Sequence, residues 1–95
     1  MKIKYTPESL ADLKRLREFI AKKNSLAARR IALELQEGIE KLKLFPKMGL
    51  PVILATNPDH MRDLYISNYT IRYLISNDQI ILLRMWHGKE IEKDL

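Results

Sequence analysis

The spacing of apolar positions changes along this chain, from a helical period in its first half to strand-like runs in its second. The second half is the more regular. From Met61 to His87 the sequence reads MRDLYISNYTIRYLISNDQIILLRMWH, three apolar, aromatic and β-branched runs separated by Ser67-Asn68 and Asn77-Asp78. Runs of that composition, bounded by Asn, Asp and Ser, predict three antiparallel strands joined by two-residue turns. Asn and Asp tolerate positive φ better than other non-glycine residues, although glycine would suit the second turn position better still. Two-residue turns set Ile66 opposite Tyr69 and Ile75 opposite Ile80, and the rest of the register follows by counting outward. Strand side chains alternate between faces. One face then carries Arg62, Leu64, Ile66, Tyr69, Ile71, Tyr73, Ile75, Ile80, Leu82, Arg84 and Trp86. The other carries Asp63, Tyr65, Ser67, Thr70, Arg72, Leu74, Ile81, Leu83, Met85 and His87. Both are rich in apolar side chains, where a meander with one wet face would alternate cleanly. Each face therefore needs a cover.

The first half supplies one. Lys2-Ile3-Lys4-Tyr5 alternates and reads as a short strand. Thr6-Pro7-Glu8 starts a helix, with threonine as N-cap, proline at the first helical position and an acid at the positive end of the dipole. Leu10, Leu13, Leu16 or Arg17, and Ile20, with Phe19 beside them, recur at helical spacing and predict a buried stripe. Asp12, Lys14, Arg15, Glu18 and Lys22 form the wet side, and the helix fails around Lys23-Asn24. Ser25 is the next N-cap. The second helix runs from Leu26 to Phe45 and buries Ala28, Ile31, Ala32, Leu35, Ile39, Leu42 and Phe45. Gly38 inside it costs about 1 kcal/mol against alanine, and Pro46 ends it. A link this short makes the helices an antiparallel hairpin. Lys47 to His60 reads as a loop with one short strand in its apolar run Val52-Ile53-Leu54. After Gly88 the chain ends in a polar tail or a final helical turn.

Together these elements predict an α+β domain spanning residues 1–95. An N-terminal strand precedes an antiparallel two-helix hairpin, which packs on one face of an antiparallel three- to four-stranded sheet. The second apolar face has no internal cover, and an exposed apolar patch on a small domain marks a binding surface.

Composition narrows the chemistry. With 46% hydrophobic and 31% charged residues, the 95-residue chain is a soluble globular domain rather than a disordered one. The absence of cysteine removes disulfides, thiol nucleophiles and thiolate metal sites. Two histidines are too few for a histidine-built metal site without carboxylate help, so neither metal nor cofactor is expected. No signal-peptide core or membrane-length apolar run is present, which points to the cytoplasm and away from a membrane partner. The net charge of +5 favours an anionic partner, either nucleic acid or an acidic protein surface.

Several residues carry candidate chemistry. Arg62 and Arg84 fall on one counted face near Tyr73, either as an anion-facing cluster or as rim arginines with solvated heads. Arg72 lies opposite Asp63 as a cross-strand ion pair. His87, at a strand end, is a candidate acid or base because histidine as a residue type suits that work near neutral pH, or is a structural or surface histidine. Trp86 packs against the helices or beneath a partner. Lys14, Arg15, Arg29 and Arg30 form a solvated basic face.

The order of elements and several stretches resemble the RelE/ParE superfamily of bacterial toxins. The matching stretches are YTPESLADL (Tyr5 to Leu13), NSLAARR (Asn24 to Arg30), LKLFPKMG (Leu42 to Gly49), MRDLYISNYTIRY (Met61 to Tyr73) and ILLRMWHGK (Ile81 to Lys89). The resemblance implies a toxin of a type II toxin–antitoxin pair. Its cognate antitoxin would wrap it with an acidic, amphipathic segment and would itself supply any contact with operator DNA. RelE-like members cut mRNA on the ribosome, whereas ParE-like members poison DNA gyrase without hydrolysing anything. The cleaving branch carries an arginine after the tyrosine that opens the middle strand, where this chain has Thr70 after Tyr69. It carries another beyond the last strand, where this chain has Lys89 and Glu90. Members using a C-terminal histidine follow it with an aromatic residue, whereas His87 precedes Gly88. The LLRMWHGK ending looks more like ParE, with Lys89 in place of an arginine. The resemblance thus favours a gyrase inhibitor, with Arg62, Tyr73, Arg84, Trp86 and Lys89 as partner-binding residues. The alternatives are a ribosome-dependent mRNA endonuclease acting through Arg62, Arg84 and His87, and a non-toxic relative that only binds antitoxin.

Overall fold

The two short turns organise the sheet as their sequence predicts. The computed structural model describes residues 1–90, so most of the expected tail or final helical turn lies outside the described residues. Along the chain come β1 (Lys2–Tyr5), α1 (Pro7–Lys23), α2 (Ser25–Lys41), β2 (Leu50–Pro51), β3 (Met61–Ile66), β4 (Tyr69–Ser76) and β5 (Gln79–His87). The strands form one sheet in the order β1-β5-β4-β3-β2. The sheet is α+β in setting and mostly antiparallel, but β1 runs parallel to β5 and makes it mixed. The two-residue β2 brings the strand number to five.

Each turn places its first residue in the left-handed region, Ser67 at φ 55° and Asn77 at φ 54°. Asparagine tolerates that geometry, whereas serine pays more of the cost, which is about 1–2 kcal/mol for an ordinary L-residue. Ser67→Gly relieves it against the extra chain entropy of glycine. A net gain of about 0.5 kcal/mol is expected, read as a rise in Tm of about 2–4 °C. An unchanged or lower Tm would mean that the turn is unstrained.

The first hairpin keeps the counted register, with Ile66 opposite Tyr69 and Asp63 opposite Arg72. The second keeps it only from the turn to Tyr73↔Leu82 and then slips by one residue, pairing Arg72 with Arg84 and Tyr69 with His87. Leu83 is the extra residue of a β-bulge. Because strand side chains alternate, one inserted residue exchanges the faces of everything beyond it. This corrects the expected faces of Arg84, Met85, Trp86 and His87. Met85 enters the core beneath the helices. His87 meets Tyr69 edge-to-face, with centroids 5.0 Å apart. Trp86 turns to the opposite face, where the Arg72 guanidinium lies 5.1 Å from its ring centre.

The core joins Leu16 of α1, Leu35 and Ile39 of α2, and Leu42 to Leu64, Ile71, Tyr73, Ile80, Leu82 and Met85 of the sheet. Thr6 caps α1 as expected, accepting from the Ser9 N–H, and its hydroxyl also donates to the Leu82 carbonyl just before the bulge. The junction differs: Asn24, not Ser25, caps α2, its side chain accepting from the N–H groups of Leu26 and Ala27. The second helix ends at Lys41 rather than Phe45. From Leu42 to Leu44 the backbone N–H groups bond three residues back, a tightened exit that leads into Pro46. Phe45 is consequently 61% exposed. Gly38 marks the close approach of α2 to β3, since a Cβ there would collide with the Ile66 side chain.

Two expectations about α1 fail together: Leu10 is exposed and Asp12 is buried. The expected short strand also moves, from Val52–Leu54 to Leu50–Pro51, leaving Ile53 and Leu54 exposed. Exposed apolar side chains therefore concentrate between α2 and β3, at Leu44, Phe45, Met48, Leu50, Ile53 and Leu54, with Tyr65 on β3. Among the described residues no helix is long and apolar enough to cross a membrane.

Candidate functional site

β1 stops opposite Leu82, and past that point the outer edge of β5 would present bare backbone groups. Side chains complete it instead. The Asp12 carboxylate accepts from the Met85 N–H (2.9 Å), from Arg84 Nε (2.8 Å) and Nη2 (3.1 Å), and from Arg15 Nη1 (2.7 Å). Arg15 Nη2 reaches the Met85 carbonyl (3.3 Å) and the Glu90 carboxylate (3.0 Å). Glu90 in turn accepts from the His87 N–H at 3.0 Å. Asp12 is only 2% exposed. Burial alone would push its carboxyl up, but the bonds from Arg84, Met85 and Arg15 outweigh burial and hold it below the ordinary carboxylate value. Arg84 is correspondingly held in its charged form by Asp12. A signal for Asp12 exists in the sequence: Ser9, Asp12 and Leu16 recur at helical spacing, and all three are buried.

Beside this network, α1 and the Tyr69–His87 end of the sheet border an open cavity of about 470 Å³. Arg15, Phe19 and Lys23 line it from the helix, and His87 and Lys89 from the strand end. His87 Nδ1 accepts the Lys89 N–H at 3.0 Å, so the neutral ring carries its proton on Nε2. Burial pushes the Tyr69 phenol up, aided by the Glu90 charge.

A second buried network ties the loop before β3 to the sheet. Arg62 donates to the Asp59 carbonyl (2.8 Å) and carboxylate (2.7 Å), and to the carbonyls of Gly49 (2.8 Å) and Lys47 (3.3 Å). The Tyr73 hydroxyl donates to the Pro46 carbonyl (2.6 Å) and accepts from the Gly49 N–H (3.0 Å). A Cβ at Gly49 would lie 2.8 Å from both the Asp63 carbonyl and the Tyr73 hydroxyl, so the loop can pass only as glycine. Asp63 and Arg72 form the expected pair, bidentate at 2.8 and 3.0 Å, and bury it.

The predicted site residues thus separate. Arg62 points past β3 towards the Lys47–Asp59 loop, while Arg84 points past β5 to Asp12 on α1. The single arginine cluster near Tyr73 does not form, because the bulge turns Arg84 away. His87 lies beside Lys89 and apart from Arg62. Arg62, Tyr73 and Trp86 are buried, Arg84 is half-buried and Lys89 is exposed. Of the supposed solvated basic face, Lys14, Arg29 and Arg30 are exposed, whereas Arg15 belongs to the Asp12 network.

The family model described as the ParE toxin of the type II toxin–antitoxin system, parDE, matches residues 3–92. The chain is 32% identical over 88 residues to Toxin RelE2 of Caulobacter vibrioides, covering 92% of this chain and 94% of that protein. Its fold resembles a solved chain of the chromosomal ParDE TA system from P. aeruginosa, with a TM-score of 0.74 at 18% identity. That likeness spans 92% of this chain and 95% of the other.

Proposed function

This chain belongs to the ParE toxin family of type II toxin–antitoxin systems, and from that premise we propose that it arrests growth in the cytoplasm by inhibiting DNA gyrase. A cognate antitoxin with an acidic, amphipathic segment neutralises it and supplies the contact with operator DNA. The exposed apolar side chains between Leu44 and Leu54, with Tyr65 on the second sheet face, offer the antitoxin its apolar contacts, and the net charge of +5 suits its acids. Lys89 is the exposed charged contact among the partner-binding residues. Arg62, Tyr73, Arg84 and Trp86 serve that surface by holding its shape.

One observation carries the gyrase reading over cleavage: the two arginines of the nuclease alternative are bound to separate acceptors of the chain itself, Arg62 on β3 to the Lys47–Asp59 loop and Arg84 on β5 to Asp12 of α1. RNA cleavage needs groups that activate a ribose 2′-OH, stabilise charge on phosphorus and protonate the leaving oxygen, all converging on one phosphate. Arg62, Arg84 and His87 do not converge. The similarity to Toxin RelE2 favours a second reading, a ribosome-dependent mRNA endonuclease, in which His87 beside Tyr69 would serve as acid or base.

Induction without antitoxin, with DNA and protein synthesis pulse-labelled separately over the first minutes, tests the choice. DNA synthesis is expected to fall first while translation continues, and His87→Ala is expected to remain as toxic as the parent. Early collapse of translation, abolished by His87→Ala, would establish the endonuclease instead. Folded protein without effect on either would make the chain a non-toxic antitoxin binder.

A further inference from the structure

Of the side chains that line the cavity between α1 and the Tyr69–His87 end of the sheet, the proposed partner contacts use only Lys89. Its helical wall comes from one row of residues, Arg15, Phe19 and Lys23, spaced four apart and so stacked on one helix face. Its other wall brings Lys89 and His87. Three cations therefore face one acid, Glu90, which is bonded to Arg15 and to the His87 N–H. Arg15 is committed to Asp12 and Glu90. Lys23 and Lys89 form no ion pair among the described residues, and both are exposed. With Nδ1 taken by Lys89, the neutral His87 ring offers Nε2–H as a further donor. Donors thus exceed acceptors around the opening, the arrangement that receives an anion.

The aromatic side of the cavity narrows the ligand further. Phe19 is 56% exposed, and the Lys23 ammonium rests 4.5 Å from its ring centre. A flat π-system could take that ring face and release Lys23 towards an anion. A volume of about 470 Å³ holds a ligand of mononucleotide size. We propose that this cavity binds a nucleoside phosphate, with the base on Phe19 and the phosphate held by Lys23, Lys89 and His87 Nε2–H. The source is either a free nucleotide or the phosphorylated end of a nucleic-acid strand. Arg15 and Glu90 are positioning residues that fix the strand end carrying His87.

The full chain is titrated with AMP, adenosine, inorganic phosphate and a 5′-phosphorylated single-stranded hexanucleotide, followed by calorimetry and by NMR shifts of Phe19, His87 and Lys89. AMP is expected to bind saturably, and more tightly than adenosine or phosphate alone. Lys23→Gln and Lys89→Gln should each weaken it about three- to tenfold. Lys43→Gln, whose lysine is bonded to Glu40 away from the cavity, should not. Both cavity lysines are exposed, so these variants retain the fold. Tighter binding of the hexanucleotide than of AMP would assign a strand end, and equal or weaker binding a free nucleotide. Absence of saturable binding, equal binding of inorganic phosphate and AMP, or unchanged affinity in both lysine variants would overturn the proposal.

Discussion

Asp12→Ala is expected to cost about 3 kcal/mol of folding stability and to lower Tm by more than about 10 °C. The carboxylate is a shared acceptor for Arg84, Arg15 and the Met85 N–H, and it completes the β5 edge where β1 ends. Removing one partner of a buried ionic network usually costs about 3–5 kcal/mol. Arg84 keeps further contacts, which sets the expected loss at the low end. The pH dependence has a definite sign. The folded carboxyl is held below its ordinary value, while the unfolded chain titrates near about 3.9. The Asp12 contribution is therefore complete above that unfolded value and is lost as pH falls to and through the lowered folded value. Urea unfolding should show a wide gap between parent and variant at neutral pH that narrows as pH drops below about 4. A gap that stays constant in acid would mean that the carboxylate's charge does not support the fold.

Arg62→Ala should be about as damaging, near 3 kcal/mol, with Gly49→Ala costing about 2–3 kcal/mol by overpacking. Arg62 is 8% exposed, and its guanidinium satisfies the Gly49 and Lys47 carbonyls as well as both oxygen types of Asp59. Lysine cannot reproduce a forked donor, so Arg62→Lys should recover only part of the loss in a urea titration. The consequence for function is direct. Toxicity lost in Arg62→Ala or Arg84→Ala reports unfolding as readily as missing chemistry, whereas His87→Ala keeps the backbone N–H that Glu90 accepts and removes only the ring's contacts with Tyr69 and the Lys89 N–H, so it disturbs the fold less. Arg62→Ala with the parent's urea midpoint but no toxicity would give Arg62 a role at the target itself.

β1, the three strands of the meander, both turns and the Asp63–Arg72 pair were legible because they rest on local signals, short alternation in Lys2–Tyr5 and apolar, aromatic and β-branched runs bounded by Asn- or Ser-bearing turns. The five-stranded mixed sheet was less so, since β1 joins β5 across nearly the whole chain and nothing local encodes that pairing. The bulge at Leu83 carries no glycine or other break, so counting ran through it and put Arg84, Met85, Trp86 and His87 on the wrong faces. Asp12 was misplaced for a different reason. A carboxylate at a buried helical position reads as solvent-facing until its guanidinium partners, one of them on β5, are in place. The Arg15–Phe19–Lys23 row is visible in the sequence, but the wall opposite it depends on the bulge.

Purified components separate inhibition of gyrase from cleavage of mRNA. The purified chain is added to DNA gyrase, ATP and relaxed plasmid, and in parallel to translating ribosomes loaded with a defined mRNA. Loss of supercoiling is expected as toxin approaches the gyrase concentration, with the mRNA intact. Undisturbed supercoiling together with cut, ribosome-bound mRNA would contradict gyrase inhibition.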